Sequence, residues 1–412
     1  MKLSLAHSIL TATATTLLLA CTQAKAADSS FTPSLTVSEE YTDNVYASTN
    51  KRSDFITSIL PGFAATYKAP LWDWSLGYSF AYHYYARNSE TNDNNHNINA
   101  TGLVKIIDEK LFLELSDVYT KVSLNNTRDT TGDSISNNQT DQNIGTVSPY
   151  LVLHPTTNLN FKAGYRYINT WYKDSGTVNK QDHQGFVNAS YELSPKISIT
   201  TDYTFTRELP ERGSSFYRHE LLAGPRYEYA EKSFIFAQGG FVDTDYDNGA
   251  HTHNPSWKAG INYTTDTFVA VATAGTSFAD DPLGNSTLTT SYILSLTKNM
   301  KQGSVTLIGT YKEYEDGITE QTTNKSYSGG MKSSLDLTPD IKANLGFIYE
   351  KYHDLDPSSY TDKYFADTGI SWLIGKDLNL SLNYKYIDYH SAETASDNYH
   401  INRVILAATK TF

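Results

Sequence analysis

Hydrophobic and polar residues alternate with a period of two along most of this chain. The clearest segment is WDWSLGYSFAYHYY at residues 72–85. One face of this segment carries Trp72, Trp74, Leu76, Tyr78, Phe80, Tyr82 and Tyr84, and the other carries Asp73, Ser75, Gly77, Ser79, Ala81 and His83. Because successive side chains of a strand point to opposite sides, the pattern predicts a strand with one apolar and one wet face. Its length suits a tilted crossing of a bilayer.

The same pattern recurs along the sequence, at LNFKAGYRY, ISITTDYTF, IKANLGFIY and LNLSLNYKY. Nine short connections, such as Pro70-Leu71 and Glu231-Lys232, alternate with ten longer polar stretches, such as NSETNDNN and DTDYDNGAHTHN. Short periplasmic turns and long outer loops are typical of bacterial membrane barrels. The connections predict about 20 strands, with 18 as the alternative. Pro61, Pro149 and Pro225 lie within predicted strands, where we expect bulges or strand ends.

The composition supports a membrane barrel. The chain has 31 Tyr, 17 Phe and 5 Trp, yet its mean hydropathy is −0.45. No stretch after the first 30 residues approaches the roughly 18 apolar residues of a spanning helix. Aromatic girdles around a polar lumen account for both properties. The predicted fold is all-β: a transmembrane antiparallel up-and-down β-barrel that forms a single domain over residues 27–412.

Both ends of the chain carry targeting features. Lys2, the apolar run 9–20 and the Ala24-Lys25-Ala26 motif predict a signal peptide over residues 1–26. The alternative is a lipoprotein signal, with Leu18-Leu19-Ala20-Cys21 as its lipobox. The chain ends NRVILAATKTF, an amphipathic strand closed by Phe412. This end resembles the signal by which barrel assembly machinery recognises outer-membrane proteins, so we expect that machinery as a partner and the bacterial outer membrane as the location.

Charge narrows the function. The formal net charge of −12 disfavours nucleic acid as a partner. Strand parity assigns inward positions to nine basic residues and to six acidic ones that include Asp73, Glu114 and Glu228. The lumen-lining candidates are Lys162, Arg166, Asp202, Arg218, Glu220, Arg226, Lys258, Lys312, Lys342, Glu350, Lys385 and Arg403. These charges either neutralise one another or form a cationic track that favours anions.

The sequence offers little catalytic chemistry. His251 and His253, near Asp243, Asp245 and Asp247, match no defined metal-site spacing, so solvated loop residues are the favoured reading. His83 and Ser79 share an inward face but lie about 13 Å apart along a strand, and no other nucleophile–base pair is evident. No nucleotide-binding motif is present. We expect no enzymatic activity, no metal and no cofactor.

The mature chain resembles a known family, through motifs in its N-terminal part and through its pattern further on. SLTVSEEYTDNVYAS, SDFITSILPGF and LGYSFAYHYYARNS are similar to the β-barrel porin 2 family, in which a Tyr-x-Asp-Asn-hydrophobic segment (residues 41–45 here) precedes an Asp-Phe strand (Asp54-Phe55) that runs into Pro61-Gly62. The resemblance implies an outer-membrane barrel. Some similar proteins are associated with exopolysaccharide export, which implies a periplasmic polysaccharide export component as a further partner. It implies no catalytic residues.

We therefore expect an outer-membrane channel, with passive exit of an exopolysaccharide as the leading specific role. The alternatives are a general diffusion porin for small solutes and a structural or adhesive surface barrel. Membrane lipid and lipopolysaccharide are the expected surroundings. The transported molecule, the oligomeric state and the gate are open at this point.

Overall fold

The computed structural model describes residues 27–125, 131–133, 138–355, 358–392 and 398–412. The predicted signal peptide, residues 1–26, lies outside the described residues. The strands are β1 (Asp28–Thr42), β2 (Asp54–Ala69), β3 (Trp72–Tyr85), β4 (Asp93–Ile107), β5 (Leu111–Ser123), β6 (Gln139–Thr156), β7 (Leu159–Tyr172), β8 (Lys180–Ser194), β9 (Ile197–Pro210), β10 (Phe216–Ala230), β11 (Ser233–Tyr246), β12 (His251–Thr264), β13 (Phe268–Asp280), β14 (Ser286–Met300), β15 (Gly303–Asp316), β16 (Thr322–Asp336), β17 (Ile341–Leu355), β18 (Ser358–Ile374), β19 (Leu378–Ser391) and β20 (Tyr399–Thr411).

The strands form one closed antiparallel barrel. Each strand pairs with its sequence neighbours, and β1 pairs with β20 from Ser34↔Thr411 to Thr42↔Arg403. Closure leaves no unpaired strand edge, which a lipid environment requires because it offers no hydrogen bonds. The predicted fold class and the count of 20 strands are confirmed. At about 4.8 Å per strand and a tilt of about 40°, the wall encloses a lumen about 40 Å across between backbones.

The period-two pattern separates the two surfaces of the wall. On β19, Leu382 and Tyr384 are exposed, whereas Lys385 lies on the opposite face of the strand. The same alternation places exposed apolar side chains on the outside of strand after strand, for example Val147, Leu151 and Leu153 on β6. Such a surface is stable only against lipid. Among the described residues, no helix is long and apolar enough to cross a membrane.

Most connections at the loop end are longer than those at the short-turn end, as predicted, but the two sets overlap in length because the strands run further than predicted at the loop end. The segment DTDYDNGAHTHN at 243–254, expected to be a long loop, has only residues 247–250 outside strands. Asp243 and Asp245 belong to β11, and His251 and His253 belong to β12. Polar residues dominate these strand ends because they project beyond the apolar belt. Polarity alone therefore did not mark where the strands end.

The three prolines produce neither bulges nor strand ends, which corrects the expectation. Pro61 pairs with Leu35 of β1, but the ladder to β3 skips from Ile59↔Tyr82 to Gly62↔Ser79. The ladders beside Pro149 and Pro225 are likewise continuous on one side and skip two residues on the other, without a change of register. Proline lacks an N–H group, so it forfeits its bond to one neighbouring strand only.

Candidate functional site

The twelve lumen-lining candidates all lie on strand faces opposite to the exposed apolar side chains. Seven lie on β7–β12: Lys162, Arg166, Asp202, Arg218, Glu220, Arg226 and Lys258. Five lie on β15, β17, β19 and β20: Lys312, Lys342, Glu350, Lys385 and Arg403. The strand order therefore places them on two parts of the barrel wall. We call the part formed by β7–β12 the first wall and the part formed by β15–β20 the second wall.

Aromatic rings accompany the basic residues of the first wall. The Lys162 Nζ lies 3.9 Å from the centre of the Tyr150 ring, and the Arg166 guanidinium lies 5.0 Å from that of Phe186. Gly164 lies between them, and a Cβ there would come within 2.6 Å of Tyr150 and 2.7 Å of Phe186. Cation–π contacts hold these charges against the wall. The alternation that revealed the outward aromatics did not single out these inward ones.

Acidic candidates of the first wall are also bound to neighbours. Asn188 Nδ2 donates to one carboxylate oxygen of Asp202 at 2.6 Å, and Gln238 Nε2 donates to the other at 2.9 Å. The Arg226 guanidinium lies over Phe234, with the ring centre at 3.5 Å, and one nitrogen lies 3.3 Å from Glu228. Ser256 Oγ donates to Glu220 at 3.5 Å. This wall is a fixed polar surface rather than a row of free charges.

The second wall has fewer neutralising contacts. Lys312 lies opposite Ser291 and Ser326 in register, and Lys385 lies opposite Arg403. Tyr352 Oη donates to Glu350 at 2.9 Å. Lys342 forms a well-exposed ion pair with Asp336 near the short-turn end. Lys385 lies between Arg403 and Asp367 of β18 in register, and Glu40 of β1 contacts Arg403, so acidic groups offset part of this positive charge.

A buried ionic group crosses the lumen near the loop end of the barrel. The Lys180 Nζ, at the start of β8, contacts Glu208 of β9 at 2.9 Å and also Asp280 at the end of β13. Arg218 of β10 donates to Ser286 Oγ of β14 at 3.4 Å, and its guanidinium lies 4.2 Å from the centre of the Phe278 ring. We call Lys180, Asp182, Glu208, Arg218 and Asp280 the Lys180 cluster.

The Lys180 cluster joins strands that are far apart in the wall. β8 and β13 are five strands apart in the sheet, roughly 24 Å along it. A contact between their inward faces therefore brings two parts of the wall together. The neighbouring loops continue the contact, because the Val178 N–H donates to the Pro282 carbonyl at 2.8 Å. This sector of the lumen is bridged at its loop end.

A second bridge comes from the loop of residues 124–138, here called L3, of which the structure describes residues 124–125, 131–133 and 138. Asp133 accepts hydrogen bonds from Tyr399 Oη at 3.0 Å and pairs with the Lys363 Nζ at 2.8 Å. Arg403 Nη1 donates to the Gly132 carbonyl at 3.0 Å and also contacts the Asp133 carbonyl. Asp133 is only 3% exposed.

These contacts place residues 132 and 133 of L3 against a distant part of the wall. L3 connects β5 to β6, but the partners of these two residues lie on β18 and β20, at least six strands away from β6 around the barrel. The Arg403 Nε also lies 3.5 Å from Glu40 of β1. We call Asp133, Lys363, Tyr399, Arg403 and Glu40 the Asp133 clasp. Of the twelve candidates, it contains Arg403, and the Lys180 cluster contains Arg218.

A loop residue reinforces the pairing between the first strand, β1, and the last strand, β20. Asp43, in the loop of residues 43–53, accepts hydrogen bonds from the Asn402 N–H at 2.7 Å and from its Nδ2 at 2.9 Å. Partial burial alone would raise the pKa of Asp43, but the hydrogen bonds from Asn402 and Lys51 outweigh it and lower the pKa below its usual value. The carboxylate is therefore charged in the folded barrel and holds the loop to β20.

A nucleophile and a base do meet in the lumen, contrary to expectation. Ser58 Oγ and His83 Nδ1 are 2.8 Å apart, on opposite positions of β2 and β3. Ser79, excluded as a partner by its distance along the strand, is not involved; the contact runs across strands instead. Ser58 is only 6% exposed, and the Ser58–His83 pair lies two residues along the strands from the buried Ile56–Tyr85 pair, on the same face. This burial favours a structural hydrogen bond.

The histidines near β11 form pairs rather than a metal site. His251 Nδ1 lies 2.7 Å from Asp245, His253 contacts Asp243, and Asp247 binds Arg207 instead. The described residues hold no group of three or more metal-binding side chains. Both histidines belong to β12, so the expectation that they lie in a loop is wrong. Their side chains are nevertheless more than half exposed, as expected of solvated residues.

Comparison with known proteins identifies the fold. No family model matches the chain, and no curated protein matches it. Among solved structures, it is similar to the siderophore receptor PirA from Pseudomonas aeruginosa, with 10% identity, a TM-score of 0.53 and coverage of 93% of this chain and 80% of that one. It also matches Pseudomonas aeruginosa OpdQ, with 12% identity, a TM-score of 0.45 and coverage of 93% and 99%. The resemblance to the β-barrel porin 2 family remains an expectation.

Proposed function

We propose that this chain, which has the fold of a bacterial outer-membrane β-barrel and an outward apolar surface that fits that membrane, is a water-filled channel whose loop end is gated by the Asp133 clasp. The observation that carries the proposal is the position of Asp133, which lies in the β5–β6 loop and binds Lys363 of β18 and Tyr399 of β20. A barrel with a purely structural role has no need of a polar lumen wall bridged in this way.

The polar walls support passage of hydrophilic molecules. Barrels of 16–18 strands already leave an aqueous channel, and this one has 20. Side chains of Lys162, Arg166 and Lys385 line the path with positive charge, which favours anions. The mechanism is passive, because the wall supplies a hydrated surface and the sequence contains no nucleotide-binding motif. We propose no catalytic step for any residue.

The specific cargo we propose is an exopolysaccharide that leaves the cell. Two observations support this role: the resemblance of the N-terminal segments to proteins associated with polymer export, and a lumen that is bridged at its loop end. A bridged exit suits a channel that opens only when a polymer is delivered from the periplasm. A general diffusion porin accounts equally well for the polar lumen, so it remains the second candidate.

Conductance of the purified protein in planar bilayers tests the gate. We expect rare, brief openings at low voltage, because the two bridges occupy the lumen in the resting state. Large, steady and unselective openings of the unmodified protein would overturn the gate and favour the diffusion porin. If neither the unmodified protein nor the Asp133→Ala variant conducts, the proposal that the barrel is a channel is wrong.

Deletion of the gene tests the cargo separately. Loss of surface polysaccharide with retention of the polymer in the periplasm, restored by the intact gene, is the expected result. Normal surface polymer together with slower uptake of small hydrophilic solutes would contradict the export role and support the diffusion porin.

A further inference from the structure

The outward face of the barrel repeats one side-chain arrangement three times. Tyr78 Oη lies 3.0 Å from His96 Nδ1, Tyr165 Oη lies 2.6 Å from His183 Nδ1, and Tyr203 Oη lies 2.9 Å from His219 Nδ1. In each copy a second aromatic residue, two positions after the tyrosine, lies directly opposite the histidine: Phe80, Tyr167 and Phe205. Repetition on three separate strand pairs indicates a common role.

The three copies lie at the same distance from the loop end of their strands. His96, His183 and His219 are each three residues from the loop end of their strands, β4, β8 and β10. A fourth copy occurs at β19 and β20, where Tyr384 Oη donates to Asn402 Oδ1 at 2.7 Å. Asparagine replaces histidine there, and Asn402 is engaged by Asp43. The histidine is therefore not required to build the arrangement.

Histidine is concentrated in this band of the barrel. Of the ten histidines among the described residues, eight lie on the outward face within three residues of a strand's loop end: His96, His183, His219, His251, His253, His353, His390 and His400. The other two, His83 and His154, lie on inward faces. The outward face at the short-turn end has none among the described residues. The outer and inner interfaces thus differ in chemistry, although both have aromatics.

The hydrogen bond with tyrosine leaves one donor on each imidazole when the tyrosine hydroxyl is its donor. In that arrangement the neutral ring carries its proton on Nε2. When the ring is protonated, Nε2 still carries a proton and the ring adds a positive charge. In both states Nε2–H is available at the level where apolar side chains give way to polar ones. An N–H at this level suits a phosphate oxygen of a lipid headgroup.

We propose that the three tyrosine-held histidines form a binding surface for the phosphates of the glycolipid in the outer leaflet. The apolar belt directly below each site would contact the acyl chains of the same molecule. The occupant is therefore a phosphorylated lipid, rather than free phosphate or a second protein. This inference does not depend on the proposed channel function.

The three sites differ in the charged residues that lie beside them, and so in how well each suits a phosphate group. Arg207 of β9 lies directly opposite His183 and keeps its guanidinium over the Tyr217 ring at 4.0 Å, with Asp247 as its ion-pair partner. Asp243 of β11 lies directly opposite His219 and also contacts His253. His96 lies edge-on to Tyr119. The His183 site therefore has the best support for a phosphate, and the His219 site has the least.

The test is lipid binding by the full-length barrel in detergent, with diphosphoryl lipid A and its dephosphorylated form as probes. A triple variant, His96→Phe/His183→Phe/His219→Phe, keeps the ring area of the girdle but removes every donor. We expect its affinity for diphosphoryl lipid A to fall about tenfold, the scale of one charge-assisted hydrogen bond. Binding of the dephosphorylated lipid should not change.

His154→Phe provides the control, because it removes an exposed imidazole from the inward face at the short-turn end. It should leave both affinities unchanged. Equal affinity of the triple variant and the unmodified protein for diphosphoryl lipid A would overturn the proposal. An equal loss for both lipids would also overturn it, because it would show a packing effect rather than phosphate recognition. Thermal unfolding of each variant without lipid checks that the barrel is intact.

Discussion

The two bridges across the lumen differ in what builds them. The Lys180 cluster joins side chains that all belong to strands, at the ends of β8, β9, β10 and β13. The Asp133 clasp joins strand residues to a loop. Both are buried and both combine acidic with basic groups: Lys180 is 15% exposed at its side chain, and Lys363 is 10% exposed. The difference lies in the backbone that carries them.

This difference predicts which bridge can open. Separating β8 from β13 would move strands whose backbones are hydrogen-bonded to both neighbours, so the cost is spread over the wall. Releasing Asp133 requires only that L3 swing away from β18 and β20, while the ladder stays intact. We infer that the Lys180 cluster stabilises the barrel and that the Asp133 clasp serves as the gate.

The largest expected effect is on stability. Lys180→Met leaves Glu208 and Asp280 buried beside each other without their shared cation, and breaking a buried pair in this way costs about 3–5 kcal/mol. The free energy of unfolding in urea and lipid vesicles measures it. Lys342→Met, which removes the partner of Asp336 from a pair exposed on both sides, is the control and should cost no more than about 1 kcal/mol. Equal losses for the two variants would remove the structural role of the cluster.

The next effect is on conductance. Asp133→Ala removes the carboxylate that binds Lys363 and Tyr399 and leaves only the Arg403 hydrogen bonds to the Gly132 and Asp133 carbonyls. The clasp should therefore open more often, and the open probability in planar bilayers should rise at least about tenfold, the scale of one lost charged hydrogen bond. The unfolding free energy should change little. Asp266→Ala, in the turn between β12 and β13, is the matched control. An open probability that stays at the level of the unmodified protein would show that the clasp is not the gate.

The smallest effect is on ion selectivity. Replacing Lys162, Arg166 and Lys385 by Gln removes three positive charges from the walls and should shift the reversal potential in a salt gradient toward lower anion preference. Lys110, Lys196 and Lys232, all in short turns, provide a control with the same change of charge. If both triple variants give the reversal potential of the unmodified protein, the walls do not select anions and the cationic-track hypothesis is wrong.

Most of the fold could be predicted from the sequence because the alternation is a local property. A strand such as β19 shows its two faces in LNLSLNYKY, and turns such as Glu231-Lys232 mark the reversals. The loop ends could not be predicted equally well, because residues such as His251 are polar whether they lie in a loop or in a strand above the membrane. The effect of the prolines on the strands also could not be predicted, because the sequence does not show which neighbouring strand loses a hydrogen bond.

The sequence predicts which charged residues face the lumen, but it does not predict the residues that they contact. Parity along β10 and β20 gives the inward positions of Arg218 and Arg403. Their partners, Ser286 and Asp133, lie four or more strands away around the barrel, and no local pattern encodes that contact. Asp133 lies in a polar stretch that resembles any solvated loop. Ser58 was missed for the same reason, since its contact with His83 depends on the pairing of β2 with β3.

A water-filled lumen inside a lipid-facing wall is tested most directly by comparing neighbouring residues on the two faces of that wall. In a Cys21→Ser background, Asp202→Cys and Arg226→Cys place a thiol on the inward face, and Tyr203→Cys and Tyr227→Cys place one on the outward face one residue away. We expect rapid reaction of the two inward thiols with a charged, membrane-impermeant thiol reagent and no reaction of the two outward ones in membranes. Equal reaction on both faces, or reaction of the outward thiols alone, would contradict a water-filled lumen within a lipid-facing wall.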